Sequence, residues 1–234
     1  METTATLLAR CFSLRMLLCL GWPALFSPSV QAHVSSPNQE SLVSEVTPQL
    51  QDGDIIFIRI ANPLFREVAK TCGSWESHVG LVFRDQDGRW MVGESTFPVA
   101  KFTPLERFVK RSEDHRFMVK RLKGGLDPEV ATKLREAAIK RVGTLYHLGF
   151  KYDSSRMYCS KYVYDSYLEA TGEKVGQLQT FRELLDANPQ TPMAFWRLWF
   201  FGSIPWDRRC VTTTSEIQSP RLITIYDSTQ AHVH

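Results

Sequence analysis

Residues 153–172 read Asp-Ser-Ser-Arg-Met-Tyr-Cys-Ser-Lys-Tyr-Val-Tyr-Asp-Ser-Tyr-Leu-Glu-Ala-Thr-Gly, and this stretch decides the fold. Its first three residues are favoured at a helix N-cap, and Gly172 is favoured just after a last turn. Tyr162 and Val163 follow Cys159 at helical spacing, which places the thiol on the face that packs inward. Peptide dipoles at a helix start stabilise a thiolate, so the stretch predicts either a nucleophilic cysteine or a buried, inert one.

A candidate base for this cysteine lies on a predicted strand, residues 77–83 (Ser-His-Val-Gly-Leu-Val-Phe). Strand alternation places His78 and Gly80 on one face. The glycine leaves space beside the imidazole, which favours a groove over a packed core. A strand histidine can be purely structural, and His147, near Cys159 in sequence, is the rival base. A base on a sheet is held more firmly than one on a loop, which favours His78.

A hairpin determines whether a carboxylate joins the histidine. If residues 86–88 (Gln-Asp-Gly) are a three-residue loop, Gly88 takes the left-handed conformation that such loops require. Gly80 then faces Glu94, which lies on the face of His78, one diagonal step away. A two-residue loop would instead turn Glu94 to the other face. Glu94 is therefore predicted to orient His78, with an ordinary solvated glutamate as the alternative.

The remaining pattern predicts a mixed α+β chain. Residues 55–60 are apolar at nearly every position, which is typical of a strand covered on both faces. Helix starts are predicted at Asn62, Thr103, Asp127 and Thr180. The loop 144–153 leads into the Cys159 helix, and its aromatic residues either shape a pocket or cover the core. Four residues near these motifs are candidates for substrate binding: Asp54, Tyr146, His147 and Tyr158.

Composition sets limits on the class of protein. The 234 residues are 43% hydrophobic and 23% charged, which is typical of one globular domain. A net charge of +3 without a dense basic patch argues against a nucleic-acid partner. The chain has no CxxC pair and no Cys/His spacing typical of a metal site, so we expect neither a metal nor an organic cofactor.

The N-terminus is typical of a signal peptide, residues 1–32. Arg10 and Arg15 precede the apolar residues 16–26, and Val-Gln-Ala at 30–32 is a small-residue cleavage site. We therefore expect secretion across the inner membrane to the periplasm or cell envelope, with an uncleaved membrane anchor as the alternative.

The chain after this signal divides into three predicted parts. Residues 33–51 are rich in Ser, Pro and Gln and predict a linker. Residues 52–228 form the domain, and residues 229–234 form a tail. Three cysteines remain after the signal, which is an odd number. The hypothesis is that Cys72 and Cys210 form a disulfide or that neither does, while Cys159 stays free.

Residues 193–206 are unusually rich in aromatic side chains: Phe195, Trp196, Trp199, Phe200, Phe201 and Trp206. Buried aromatic packing is the default interpretation. The more specific interpretation is that this segment forms an acyl-chain pocket or a peripheral membrane contact.

Four motifs carry a resemblance to a known family: Gly-Asp-Ile-Ile-Phe at 53–57, Ser-His-Val-Gly at 77–80, Val-Gly-Glu-Ser at 92–95 and Tyr-Cys-Ser-Lys-Tyr-Val at 158–163. They resemble the circularly permuted papain-like amidases of the YiiX/YebB group, which are related to NlpC-type cell-wall peptidases. The resemblance is nearest to the YebB branch and covers nearly the whole mature chain. Relatives often carry Tyr-Asp where this chain has Tyr146-His147.

This resemblance implies a permuted papain/NlpC-like fold, with a small antiparallel sheet or half-barrel packed against helices. It implies Cys159 at a helix N-terminus as the nucleophile, His78 as general base and then acid, and Glu94 as the orienting group. The implied reaction is hydrolysis of an amide or related acyl bond through an acyl-enzyme. The backbone N–H of Cys159 would supply part of an oxyanion hole.

Three functions therefore compete. The first is a cysteine hydrolase acting on a small-molecule, peptide or lipid-like amide, such as a cell-wall peptide or an N-acyl amide. The second is a lipid thioesterase or acyltransferase, because lecithin:retinol acyltransferase is also similar to this permuted papain-like group. The third is a non-catalytic binding module of the cell envelope. The sequence does not indicate an oligomeric state.

Overall fold

The computed structural model of this protein describes residues 39–230. The predicted signal peptide and residues 231–234 of the predicted tail lie outside this range. No helix within residues 39–230 is long and apolar enough to cross a bilayer.

A six-stranded antiparallel sheet forms the centre of the fold. The strands, in chain order, are β1 Ile55–Ile60, β2 His78–Arg84, β3 Trp90–Ser95, β4 Ala100–Pro104, β5 Ser112–Leu122, β6 Leu178–Thr180, β7 Arg209–Val211 and β8 Leu222–Asp227. The sheet order is β4-β3-β2-β1-β5-β8, and β6 pairs with β7 separately. The predicted α+β fold with an antiparallel sheet against helices is confirmed.

The helices are α1 Gln39–Val46, α2 Pro63–Cys72, α3 Leu105–Val109, α4 Pro128–Lys140, α5 Cys159–Thr171, α6 Phe181–Ala187, α7 Met193–Trp199 and α8 Thr213–Ile217, with a 3-10 turn at Thr47–Gln49. One sheet face, with Val79 and Leu81, packs on α4 and α5. The opposite face, with Ile58 and Val82, packs on α1 and α3. β1 is buried on both faces from Ile55 to Ile58, as predicted.

The predicted linker is wrong over its described part. Residues 39–49 form α1 and the 3-10 turn, and the side chains of Leu42, Val43 and Val46 are buried. Three apolar residues on one side of a helix give it a face to bury against the sheet, in spite of its polar composition. The folded domain therefore includes residues from 39 onward.

The helix that carries the cysteine begins at Cys159 itself. Its N-cap is Tyr158, which has an extended backbone (φ −135°, ψ 168°). The Tyr158 side chain makes no capping hydrogen bond to the helix. The predicted N-caps at 153–155 are wrong, because Asp153 instead forms an ion pair with the distant Arg209. Gly172 ends the helix with a left-handed backbone (φ 73°), as predicted. The first N–H groups of α5 are consequently free of any side-chain cap.

A predicted capping box at Thr103 is also wrong. Thr103 lies in β4, and α3 begins after Pro104 without a side-chain cap. The Thr103 hydroxyl donates to Oε1 of Glu94 at 2.6 Å instead. A buried, charged acceptor is a stronger partner for a hydroxyl than a helix N–H.

Candidate active site

The hairpin between β2 and β3 has the predicted three-residue loop. Gly88 has φ 79°, and the Asp85 N–H donates to the Arg89 carbonyl at 2.8 Å. Leu81 pairs with Gly93, so the next step of the register puts Gly80 opposite Glu94. The predicted placement of Glu94 on the face of His78 is confirmed.

Glu94 is fully buried and accepts three side-chain hydrogen bonds. The His78 Nε2 atom lies 2.5 Å from Oε2, and the Arg111 guanidinium donates to the same oxygen at 2.7 Å. Thr103 donates to the other oxygen. Burial alone would raise the pKa of Glu94, but His78, Arg111 and Thr103 together lower it to about 2. Glu94 is therefore ionised at neutral pH.

The protonation of the imidazole follows from this carboxylate. An ionised carboxylate only accepts, so Nε2 of His78 must donate, and in the neutral ring Nδ1 is the basic nitrogen. Residues 39–230 provide no hydrogen-bond partner for Nδ1. Burial lowers the pKa of His78; Glu94 partly opposes this, and the Arg111 charge adds to it. The ring is thus neutral near pH 7, with the tautomer that a general base needs.

The space beside this imidazole differs from the prediction. The sequence predicts a groove at Gly80, but a methyl group there would collide with the Val92 side chain and the Gly93 carbonyl oxygen, and would contact the ring of Phe108. The His78 and Phe108 ring centroids lie 5.5 Å apart. This glycine therefore permits close packing on the His78 face, and the open cavity lies elsewhere.

The Cys159 sulfur lies among backbone N–H groups. Those of Ser160, Val79 and Cys159 are directed at it and favour its thiolate. β3 pairs with β2 only from Leu81 onward, which leaves the Val79 N–H free of that ladder. Burial nevertheless raises the pKa of Cys159 to about 12, and the nearby Glu216 carboxyl adds to the effect. In this structure the thiol is protonated at neutral pH.

A small cavity of about 40 Å³ opens beside this thiol. Tyr146, Tyr158 and Ser77 line it near Cys159. Its further wall is apolar and comes from α2, α6, α7 and the loop before α5: Phe65, Val68, Phe150, Phe181, Leu184 and Trp196. Trp196 is buried, and its ring packs against Phe181 and Phe200 at centroid distances of 5.2 and 5.7 Å. The inward half of the aromatic segment therefore forms a packed wall, as its default interpretation predicted.

Two of the four predicted substrate-binding residues lie at this cavity. The Tyr146 hydroxyl lies beside the Cys159 sulfur. The Tyr158 hydroxyl accepts a hydrogen bond from the Val211 N–H at 3.0 Å. Asp54 is not brought there, because both of its oxygens bind Arg121 at 2.7 and 2.8 Å.

His147 is the other candidate that the structure keeps away from the thiol. Its Nδ1 accepts the Gly149 N–H at 3.0 Å, and its side chain is not part of the cavity wall. As the rival base, His147 therefore lies outside the cavity wall beside Cys159, and its Nδ1 is occupied by a local backbone N–H. The structure favours His78 over His147 as the base, because His78 is buried and its ring is oriented by the Glu94 carboxylate.

Cys159 and His78 flank the same end of β2 but are not joined by a hydrogen bond. Residues 39–230 contain no hydrogen bond between them. Helix α5 packs on the Val79 face of the sheet, whereas His78 projects to the opposite face. Two observations show that the groups are near each other. The Val79 N–H that faces the sulfur belongs to the residue after His78. Burial raises the pKa of Tyr146 beside the thiol, and the Cys159 and Glu94 charges add to the effect. The predicted roles of Cys159 as nucleophile and His78 as base therefore stay predictions, with no hydrogen bond joining the two side chains in this structure.

Sequence reasoning missed three charged or polar contributors. Thr103 was assigned to a helix cap, and nothing in the local pattern near Arg111 signals its bond to Glu94. Glu216 is fully buried near Cys159, and neither of its carboxylate oxygens has a hydrogen-bond partner. Burial raises the pKa of Glu216 well above its ordinary value. Its position in a short helix of mixed Thr, Ser and Ile residues offered a weak signal at most.

The three cysteines of the described chain are all free and buried. Cys72 and Cys210 line the same cavity as Cys159 but form no disulfide. Of the two alternatives for Cys72 and Cys210, the structure has the one without a bond. Residues 39–230 contain no group of three or more His, Cys, Asp or Glu side chains that could hold a metal ion.

An antiparallel sheet with a buried His–Glu pair, packed against a helix that begins at a cysteine, defines a papain-like enzyme whose cysteine follows its histidine in the chain. The sequence comparisons agree with this class. The chain belongs to the family described as permuted papain-like amidase enzymes, YaeF/YiiX, C92 family, whose model matches residues 49–226. Membership supports a hydrolase.

Two relatives show how far the similarity extends. The uncharacterized protein YiiX of Escherichia coli (strain K12) is 31% identical over 178 residues, which are 76% of this chain and 86% of that protein. The crystal structure of the metalloprotein yiiX from Escherichia coli O157:H7 superposes with a TM-score of 0.71 at 28% identity. It covers 76% of this chain and 98% of that one.

Proposed function

We propose that this protein hydrolyses an amide or related acyl bond, with Cys159 as nucleophile, His78 as base and Glu94 as the group that orients the base. The observation that carries the proposal is the buried His78–Glu94 pair. This pair makes Nδ1 the basic nitrogen of His78, which lies at the end of β2. At the same end, Cys159 begins helix α5 and lines the cavity. A buried titratable group beside a specific charged partner at a cavity is typical of functional sites, which supports the catalytic role over a structural one.

In the first step, the Cys159 sulfur attacks the substrate carbonyl carbon while the thiol proton passes to Nδ1 of His78. Both groups begin neutral, so the proton moves during attack and no ion pair has to exist beforehand. The thiol side chain turns toward the ring for this transfer. A carbon–sulfur bond forms, and the carbonyl electron pair moves onto oxygen, where the N–H groups that surround the sulfur before attack stabilise the charge.

In the second step, the imidazolium of His78 gives its proton to the leaving nitrogen as the carbon–nitrogen bond breaks. The product amine leaves, and the acyl group stays on Cys159 as a thioester. Water then attacks this thioester with His78 again as base, releasing the acid and the thiol. Glu94 stabilises the positive ring in both half-reactions, because its carboxylate lies 2.5 Å from Nε2.

A lipid thioesterase or acyltransferase is the second candidate, and the apolar cavity wall favours it. Phe65, Val68, Phe150 and Leu184 would contact an acyl chain whose carbonyl lies at Cys159. The chemistry at the sulfur is the same. The two candidates differ in the leaving group, which is an amine in the first and a thiol or alcohol in the second.

Intact-protein mass spectrometry tests the shared chemistry. We expect p-nitrophenyl acyl esters to leave one acyl group on the protein, mapped to Cys159, with no adduct in Cys159→Ala and greatly slowed formation in His78→Ala. Acylation of a different residue would refute the proposal. Comparing the p-nitroanilide and the thioester of the same acyl group separates the candidates: turnover of the anilide supports the amidase, and turnover of the thioester alone supports the second function.

A further inference from the structure

The exposed large apolar side chains of this protein are concentrated around one region. Phe201 is 99% exposed, Leu198 81% and Phe97 70%, and Leu145 and Leu148 are about half exposed. We call these five residues the apolar rim. Large apolar side chains with this exposure, grouped together, mark surfaces that contact another phase or molecule.

Hydrogen bonds join the segments that carry the apolar rim. The Tyr146 N–H donates to the Pro98 carbonyl at 2.9 Å, which connects the loop of Phe97 to Leu145. The Trp199 indole donates to the Leu148 carbonyl at 3.0 Å, which connects α7 to the same loop. These segments also line the cavity, through Tyr146, Phe150 and Trp196. The apolar rim is therefore continuous with the mouth of the candidate active site.

The charge of these segments is strongly one-sided. Residues 144–161 and 193–209 contain six lysines and arginines against two aspartates. Both aspartates form ion pairs with arginines, Asp153 with Arg209 and Asp207 with Arg182. Three exposed cations form no close ion pair within the described chain, although the Lys151 charge acts on Asp153: Lys151, Arg156 and Arg197. Free cations around exposed apolar residues match a surface that is negatively charged with an apolar interior.

We propose that the apolar rim binds the surface of a bilayer that contains anionic lipid, with Leu198 and Phe201 inserted below the headgroups. The rim side chains are all at least half exposed, so they are available to enter the interfacial region of a bilayer. A second copy of this chain would bring two cationic surfaces together, which disfavours a dimer through this region. The orientation directs the cavity mouth toward the membrane. This inference does not depend on the chemistry at Cys159.

Vesicle co-sedimentation tests the inference with the purified protein. We expect binding to vesicles of mixed phosphatidylcholine and phosphatidylglycerol, weaker binding to phosphatidylcholine alone, and a decrease as salt is raised. The double variant Leu198→Ser/Phe201→Ser should weaken binding at least about tenfold, because two large side chains no longer enter the acyl boundary. Ile223→Ser is the matched control, since Ile223 is an exposed apolar residue on β8, at the opposite edge of the sheet from β4.

Each outcome separates this inference from its alternatives. Wild-type protein that stays in the supernatant with anionic vesicles overturns it, as does a double variant that sediments like wild type. Equal loss in Ile223→Ser would show a general effect on the surface and would also overturn it. If sedimentation velocity shows a dimer that the double variant loses, the apolar rim binds a second copy of this chain and not a membrane, which also overturns the inference. Hydrolysis of a soluble substrate by the double variant should remain, because neither residue lines the cavity.

Discussion

Replacing Glu94 with glutamine removes the negative charge beside His78 while keeping the shape of the side chain. When His78 accepts the thiol proton, its positive ring lies next to the Glu94 carboxylate, with Nε2 and Oε2 2.5 Å apart. Two unit charges centred about 4 Å apart interact by roughly 4 kcal/mol at an effective dielectric constant of about 20. Arg111 remains beside the ring and repels it in the variant.

The expected loss in kcat/KM for Glu94→Gln is therefore about 100- to 1000-fold, since roughly 1.4 kcal/mol corresponds to tenfold. The loss should be smaller than that of His78→Ala, which removes the base itself. The assay is steady-state hydrolysis of whichever soluble anilide or thioester the protein turns over, with thermal unfolding to show that the variant is folded.

Glu169→Gln is the matched control, because Glu169 is a partly exposed glutamate that pairs with Lys140 and Arg141 on the surface. It should stay within about twofold of wild type, as surface ion pairs contribute little. If Glu94→Gln also stays within about threefold of wild type while His78→Ala is inactive, Glu94 does not stabilise the imidazolium and the reasoning is refuted.

Two further variants test the surroundings of Glu94. Arg111→Gln removes a cation that lowers the pKa of His78. The pKa of His78 should therefore rise, and the acid limb of the kcat/KM profile should move to higher pH. An unchanged acid limb would contradict this electrostatic coupling. Thr103→Val removes a 2.6 Å hydrogen bond to a buried carboxylate and should lower the free energy of unfolding by about 1.5 to 3 kcal/mol. Thr132→Val, which loses only an exposed hydroxyl bond within a helix, should change it by less than about 0.5 kcal/mol, and equal effects in denaturant titrations would contradict the stronger role of Thr103.

Short-range rules were sufficient wherever one residue type determines a backbone conformation. The left-handed position of a three-residue hairpin loop favours glycine, so Gly88 indicated the loop length and hence the face of Glu94. The predicted caps at Asn62 and Thr180 and the stop at Gly172 are confirmed for the same reason. In each case the competing structure would have strained the backbone or left a helix end without its cap.

Short-range rules failed where a partner distant in sequence made the stronger bond. Thr103 has a capping-box pattern, but its hydroxyl bonds to Glu94. Asp153 has an N-cap pattern, but it pairs with Arg209 on β7. The pattern of a cap records only which bonds are available locally, whereas tertiary contacts decide which of them forms.

The position of the thiol shows the same limit at the site itself. Alternation along β2 correctly separated His78 from Val79, yet it could not predict which face α5 covers. The structure packs α5 on the Val79 face, so the sulfur meets backbone N–H groups and has no hydrogen bond to the imidazole. Composition failed at residues 39–51 because Leu42, Val43 and Val46 outweigh their polar neighbours once a sheet face is available to them.

The most direct test of the central claim is the pH dependence of Cys159 alkylation by iodoacetamide in wild type and His78→Ala, followed by peptide mapping. If His78 serves as the base, wild-type labelling should rise once the imidazole loses its proton, at a pH below the usual histidine range because burial lowers the His78 pKa, and then level off. In His78→Ala this plateau should vanish, and labelling should increase only in strongly alkaline solution, because burial raises the pKa of Cys159 to about 12. Identical profiles in the two proteins would show that His78 does not act on Cys159, and the proposed catalytic pair would be wrong.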